Sequence, residues 1–420
     1  MTATAALLAF AAADHLMPPK VRDDAVRLLA DTLAVGAAGA SAPGADAILA
    51  VARGWGAAGE ARLLGSAERL PAASAAFVNG YRIHCLEWDA VHEAAVVHAM
   101  SVVTAALGAV VDRMGGCNPD DALIALAIGV DIASGLGLAA TSPLTFFRPA
   151  TAGVIGAALA VARVTGAPMA DTLGLAYSSC AGTMQAHVEG SIALPFQVAN
   201  AARAAVAAAD MASAGFTGPH DALEGPYGYF TLFEAGDLAT YTRDLGHVWR
   251  VSEISTKPYP SGRASHGVLG ALQGRDSKIE RIEAHVPPLV YRLVGRPMMS
   301  AMTPAYARLC LPFLVALMLT DGEIDPRRFT PAAFTDPALA ALAAKVAIVV
   351  DGNPDPNALS PQRLVIDGVE IVVADTLGSP ASSLSSVQNL AKMTLAKDLS
   401  GQIPDERLFT APLGYFAGVQ

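Results

Sequence analysis

Arg363-Leu-Val-Ile-Asp367-Gly368-Val-Glu-Ile-Val-Val-Ala374 is the stretch that divides this chain. Two runs rich in β-branched residues flank Asp367-Gly368, a pair that accepts the left-handed backbone of a two-residue hairpin. Upstream of about residue 240 the pattern is different. Apolar residues there recur at helical spacing, separated by capping and turn residues. The hairpin therefore marks a second unit, of mixed structure, joined to a helical one.

Working outward, further strands are expected at 248–254, 279–294 and 345–350, where β-branched residues concentrate. Helices at about 262–272, 304–320 and 336–344 interleave with them. Toward the N-terminus, Pro19 opens a helix carrying Val21, Ala25, Leu28, Leu29, Thr32 and Val35 on one face. Asn118-Pro119-Asp120-Asp121 is a helix start: a capping side chain, a proline at the first position and acids in the first turn. The same reading gives helices at about 71–90, 98–113, 150–165, 168–183 and 195–214, the last stopped by Gly215 and the Gly/Pro-rich run 216–229. A helix over 382–399 returns to the first unit. The fold class expected is mainly α: a large all-helical domain (1–240 with 385–420) and a smaller α+β domain (241–384).

Composition agrees with two units, since 420 residues exceed what one core ordinarily serves. Hydrophobic residues make up 53% of the chain, yet apolar runs such as 102–111 and 152–162 fall short of the ~18 residues that span a bilayer. The excess, much of it alanine, predicts closely packed helices and a subunit interface. Residues 1–13 lack the basic start of a secretory signal, and the four cysteines show no paired spacing. A reducing, cytoplasmic setting without structural zinc is expected. A net charge of −10 argues against nucleic acid or an anionic membrane as partner. An anionic substrate would need the few Lys and Arg residues concentrated locally.

The densest polar cluster is His84-Cys-Leu-Glu-Trp-Asp-Ala-Val-His-Glu-Ala-Ala-Val-Val-His98. Such groups are costly to bury unless they satisfy one another or a ligand. On a helix, Glu87 and Val91 would share one face, and Asp89 and His92 another. His98 suits a general acid or base, oriented by Glu87 or Asp89. The spacing matches neither a His-Glu-x-x-His helix nor a paired carboxylate–histidine helix, so no metal is expected. A second cluster is Lys257-Pro-Tyr259-Pro-Ser-Gly-Arg263-Ala-Ser-His266, a proline-stiffened loop bearing cations and suited to carboxylate binding. There Lys257 is a candidate base, and Tyr259, Arg263 and His266 candidate substrate contacts. Third, Arg148 stands alone between apolar segments at a helix start, where its fork and the helix N–H groups suit a carboxylate.

These segments, in this order, resemble the MmgE/PrpD family of 2-methylcitrate dehydratases, cis-aconitate decarboxylases and iminodisuccinate epimerases. Asn79-Gly80, His84-x-Leu-Glu-x-Asp, His92 and His98 are similar to that family's Asn-Gly…His-x-Leu-Asp-Phe-Asp-Asp-Thr-His…His-Pro segment. Asn200-Ala-Ala-Arg203, Ala214-Gly-Phe-Thr-Gly-Pro219, Leu223-Glu-Gly225, Gly228-Tyr-Phe230, Lys257-Pro-Tyr-Pro260 and Gly378-Ser-Pro380 extend the likeness nearly end to end. The resemblance implies a homodimer with a cofactor-free active site between its domains. It also implies that His98 and Lys257 form an acid/base pair from opposite sides of the cleft, assisted by Glu87 and Asp89. Arg148, His92, Tyr259, Arg263 and His266 would then bind a small carboxylic acid. Glu87 stands where Asp is usual, Val91 for Thr and Arg148 for a His. Leu194, Gly262 and Phe313 stand where decarboxylase-like members carry Lys, His and Tyr. Fewer polar groups imply a more apolar pocket and argue against decarboxylation of a tricarboxylate. Dehydration of a hydroxy-di- or tricarboxylic acid is the expected reaction. Epimerisation of a related acid, or a member that has kept the fold and lost activity, are the alternatives.

Overall fold

The computed structural model describes residues 2–275, 277–401 and 410–418. Of the expected return segment 385–420, residues 402–409, 419 and 420 lie outside the described residues. Two hydrophobic cores organise the chain. The larger is built from residues between Leu7 and Ile254, joined by Leu309, Ala396, Tyr415 and Phe416. The smaller runs from Tyr259 to Ile366. The architecture is a helical N-terminal domain with a smaller α+β C-terminal domain.

Alanine and glycine explain how the large core closes. Helices Pro119–Ala139 and Arg148–Thr165 cross at Gly129 and Gly156, and a Cβ on Gly156 would sit 2.2 Å from the Gly129 carbonyl oxygen. Only two bare backbones can approach that closely. Pro119–Ala139 is long and apolar enough to cross a membrane, but 89% of its most apolar window is buried inside the protein, as expected of a core helix. The anticipated start at Asn118 is present, with its side chain accepting from the Asp120 N–H at 2.9 Å.

The C-terminal sheet has the order Val346–Val350, Ile282–Val286, Gln362–Ile366, Val369–Val373; the first pair is parallel and the others antiparallel. Burial alternates residue by residue along Ile282–Val286 and Gln362–Ile366, the period-2 pattern of a sheet with one face on a core. Asp367 and Gly368 turn the hairpin with φ of 48° and 85°, the two left-handed residues its tight turn requires. The last helix, Ser386–Ser400, begins with a reciprocal Ser385–Gln388 cap. It docks on Pro19–Ala38 through Lys392, whose Nζ lies 2.6 Å from Asp31 and donates to the Trp88 carbonyl at 3.1 Å.

Three sequence expectations are corrected. Residues 248–254 form no strand; Arg250–Glu253 is a 3-10 turn, fixed where Asp131 accepts the Arg250 N–H at 2.8 Å. The strand expected over 279–294 is Ile282–Val286 only, because Pro287-Pro288 removes two ladder donors and opens the helix Pro288–Val294. The helix expected over 71–90 stops at His84, so Glu87 and Val91 share no helix face.

Candidate active site

His84 is the last residue of the helix Ala72–His84, and the chain then runs irregularly to His98, which precedes the helix Ala99–Arg113. Tertiary contacts hold this segment. Glu87 has a left-handed φ of 53°, a strain on the order of 1–3 kcal/mol for a non-glycine residue. Lys257 holds it there: Nζ donates to the Glu87 carbonyl at 3.0 Å and to Oε2 at 3.1 Å. Val91 exchanges backbone hydrogen bonds with Ser255 at 3.0 and 2.8 Å, tying the segment to the chain that crosses between the two cores.

Asp89, with no solvent exposure, is the centre of the arrangement. Its Oδ2 lies 2.9 Å from His84 Nδ1 and 3.0 Å from His98 Nδ1, and accepts from the Ser101 hydroxyl. Its Oδ1 lies 3.9 Å from Lys257 Nζ. The two imidazoles meet edge to face, 4.7 Å between centroids. His84 Nε2 faces Glu87 Oε1 at 3.6 Å. With Nδ1 of each ring beside Asp89, Nε2 is the nitrogen that the carboxylate leaves unengaged, and that of His84 is buried without a hydrogen-bond partner.

The charges sort accordingly. Burial disfavours the charged form of both rings, but at His84 the carboxylates of Asp89 and Glu87 outweigh it, and its pKa is raised. At His98 burial, reinforced by the Lys257 ammonium, prevails over Asp89, and the pKa is lowered. Burial pushes Glu87 up, but Lys257, then His84 and His98, bring it down to about 2. Asp89, likewise opposed by burial, is held well below the usual range by the two histidines. The two rings are thus pushed in opposite directions beside one buried carboxylate, His84 toward its charged form and His98 toward its neutral form.

His84, Glu87 and His98 line a cleft between the cores, its remaining wall mostly apolar and contributed by both, including Leu144, Phe147, Leu293, Val294 and Leu359. Val91, Arg148, Leu194 and Gly262, four of the positions that depart from the resembled pattern, are on its wall. Phe313 is not; it packs between Phe329 and Phe334 in the smaller core.

The other candidates fall into two groups. Lys257 is fully buried behind Glu87 and does not line the cleft, so it and His98 meet the same carboxylate instead of facing each other across a substrate. Arg148 and Arg263 do line it, but both guanidinium groups are already matched. Arg148 Nε donates to Glu234 at 2.7 Å and Nη1 to the Ala95 carbonyl at 3.0 Å. Arg263 Nη2 donates to Glu93 at 2.8 Å and Nη1 to the Leu377 carbonyl at 2.6 Å. His92 is held by Glu253 at 3.0 Å, and His266 packs on Tyr259 and Ser261, away from the cleft.

His84, Asp89 and His98 place three potential ligand atoms within 4.8 Å of one another. The donor chemistry does not suit a metal ion. His84 Nδ1 is already hydrogen-bonded to the carboxylate, and the Lys257 ammonium stands 3.9 Å from its other oxygen, where it would oppose a second cation. Sequence reasoning assigned His84 no role and missed His187, a cleft residue whose Nδ1 lies 3.3 Å from Arg296 Nη2. Burial, then Arg296, lowers the His187 pKa to about 4. Nothing in the sequence around His187 announces it, whereas His84 lay inside the cluster quoted above.

Comparison with known proteins follows the same division. The model of the MmgE/PrpD N-terminal domain matches residues 4–241 and that of the C-terminal domain residues 259–394. A cis-aconitate decarboxylase-like protein, oryM, of Aspergillus oryzae is 27% identical over 398 residues, covering 85% of this chain and 82% of that protein. Cis-aconitate decarboxylase of Homo sapiens is 25% identical over 304 residues, and that of Aspergillus terreus 25% over 295, each covering 66% of this chain. The aligned part spans 61% of the human and 59% of the A. terreus protein. These relatives are lyases by name. Matched in order on both sides of the cleft, the chain belongs to the MmgE/PrpD family.

Proposed function

We propose that this protein is a lyase that eliminates water from a small hydroxy-di- or tricarboxylic acid, using only its own side chains to move protons. One observation carries the reading: two imidazoles on a single buried carboxylate, one pushed toward its charged form and the other toward its neutral form. Titratable neighbours driven apart in this way divide the roles of acid and base. His98 Nε2 takes the proton from the carbon beside a substrate carboxylate. The C–H electron pair becomes the new C=C bond as the C–O bond breaks. His84 supplies the proton that turns the leaving hydroxyl into water, and exchange with solvent resets both rings. Glu87, ionised at any ordinary pH, holds the charge on His84, and Lys257 holds Glu87. The proposal includes a homodimer in the cytoplasm, with no cofactor.

Loss of CO2 is the second reading. The named relatives favour it. A panel of hydroxylated and unsaturated di- and tricarboxylic acids, followed by alkene absorbance, CO2 release and optical rotation, separates elimination, decarboxylation and epimerisation. His98→Gln is expected to abolish whichever is found. An unimpaired His98→Gln enzyme would remove the base from the proposal.

A further inference from the structure

With Arg148 and Arg263 matched by carboxylates of the protein, the cleft still needs a cation for its substrate. We infer that Arg308 is that cation, and that the recess it lines binds a second carboxylate of the substrate, remote from the carbon that loses its proton. The inference rests on the lyase reading above and deepens it.

Arg308 lies where the chain breaks between the short helix Pro304–Ala307 and Leu311–Asp321, and it is only 3% exposed. Nη1 donates to the Cys85 carbonyl at 3.2 Å, and the guanidinium sits 4.9 Å from the centre of the Phe329 ring. No carboxylate of the described residues pairs with it, and Nε has no hydrogen-bond partner. A buried guanidinium with unused donors is costly unless an anion completes it, and its planar fork fits a carboxylate. The surroundings supply an approach. A narrow recess is lined by Arg308, Tyr81, Cys85 and Ser191, and it shares His84, Glu87, Leu194 and Leu309 with the main cleft. A molecule with one carboxylate in the recess therefore passes the His84–Glu87 wall to reach His98. An acid with two or more carboxylates spans this path; a monocarboxylic acid does not.

The test is calorimetric titration of the full chain with pentanedioate and with butanoate, unreactive probes differing by one carboxylate. The wild type is expected to bind pentanedioate at least ~10-fold more tightly, the scale of one charge-assisted pair. Arg308→Gln should erase that preference while changing butanoate affinity less than ~2-fold. Ser191→Glu, which sets a carboxylate on the recess wall and leaves Arg308 in place, should erase it too, and it decides the matter if Arg308→Gln does not fold. His98→Gln should retain the preference while losing turnover. A wild type that binds both probes alike, or variants that keep the preference and lose only thermal stability, would overturn the inference and leave Arg308 a strut between domains. If no acid turns over, the lyase reading falls while the affinity ratio still decides the anchor. Turnover with an unaltered ratio removes the anchor and spares the lyase.

Discussion

Replacing Asp89 by Asn changes a single heavy atom and tests the arrangement at its centre. The carboxylate is hydrogen-bonded by His84 Nδ1 at 2.9 Å and the Ser101 hydroxyl, with His98 Nδ1 3.0 Å from the same oxygen and Lys257 Nζ 3.9 Å from the other. At 2.9 Å and an effective dielectric constant of about 20, one carboxylate–imidazolium contact is worth about 6 kcal/mol before desolvation is subtracted. Removing one partner of such a buried pair costs about 3–5 kcal/mol net, and an Asn amide would also point N–H donors at donors. A fall in Tm of roughly 6–20 °C follows for a domain of 150–250 residues. The chemical effect is separate. Without Asp89, His84 loses the larger of the two carboxylate contributions that raise its pKa and shifts toward its neutral form, while His98 loses the carboxylate beside its Nδ1. The expected loss in kcat is about 10³–10⁴-fold, the scale seen when a carboxylate that orients a catalytic histidine is amidated. Differential scanning fluorimetry and initial rates on the best acid of the panel, measured well below the variant's Tm, check both. A folded Asp89→Asn protein with near-wild-type kcat and an unchanged pH profile would refute the reasoning.

Turnover should be bell-shaped in pH. The acid limb falls where His98, its pKa lowered, becomes protonated, and the alkaline limb lies at higher pH, where His84, its pKa raised, gives up its proton. His84→Gln should lower kcat and erase the alkaline limb alone, as read from kcat/KM between pH 5 and pH 9. Lys257→Met should cost about 3–5 kcal/mol at pH 7 by leaving Glu87 buried without its cation. Glu87 is depressed to about 2 when folded, so its contribution is complete above its ordinary carboxylate value and is lost as pH falls toward 2. Urea unfolding across that window should therefore show a shallower acid loss in Lys257→Met than in the wild type.

Where a signal was local, the sequence carried it. The Asn118 cap, the Asp367-Gly368 hairpin and the long alanine-rich helices depend on neighbours within a few residues, and they form. Where the deciding partner is distant, the sequence misled. Helical spacing continued past His84 on paper, but Lys257 and Ser255, about 170 positions away, pull residues 85–98 out of a helix. The strand expected at 248–254 meets Asp131, and the one at 279–294 ends at two prolines that outweigh its β-branched run. At the site, Asp89 and His98 were readable because they sit in one polar cluster. That Arg148 already has Glu234, and Arg263 already has Glu93, could not be read, since each pairing joins residues 86 and 170 apart. Arg308 was invisible for the opposite reason: it stands among apolar neighbours with no motif around it.

The two-bond ladder between Val91 and Ser255 bears on any attempt to exchange parts among relatives. The catalytic wall is stitched to the strand of chain that leaves the first core, two residues before Lys257 reaches back to Glu87. A chimaera cut near residue 240 would transplant that stitch and the lysine together with the foreign half, leaving Glu87 and Asp89 to find a new brace. A junction placed after Pro258 would keep wall, seam and ammonium with the histidines they serve, and would vary only the far side of the cleft.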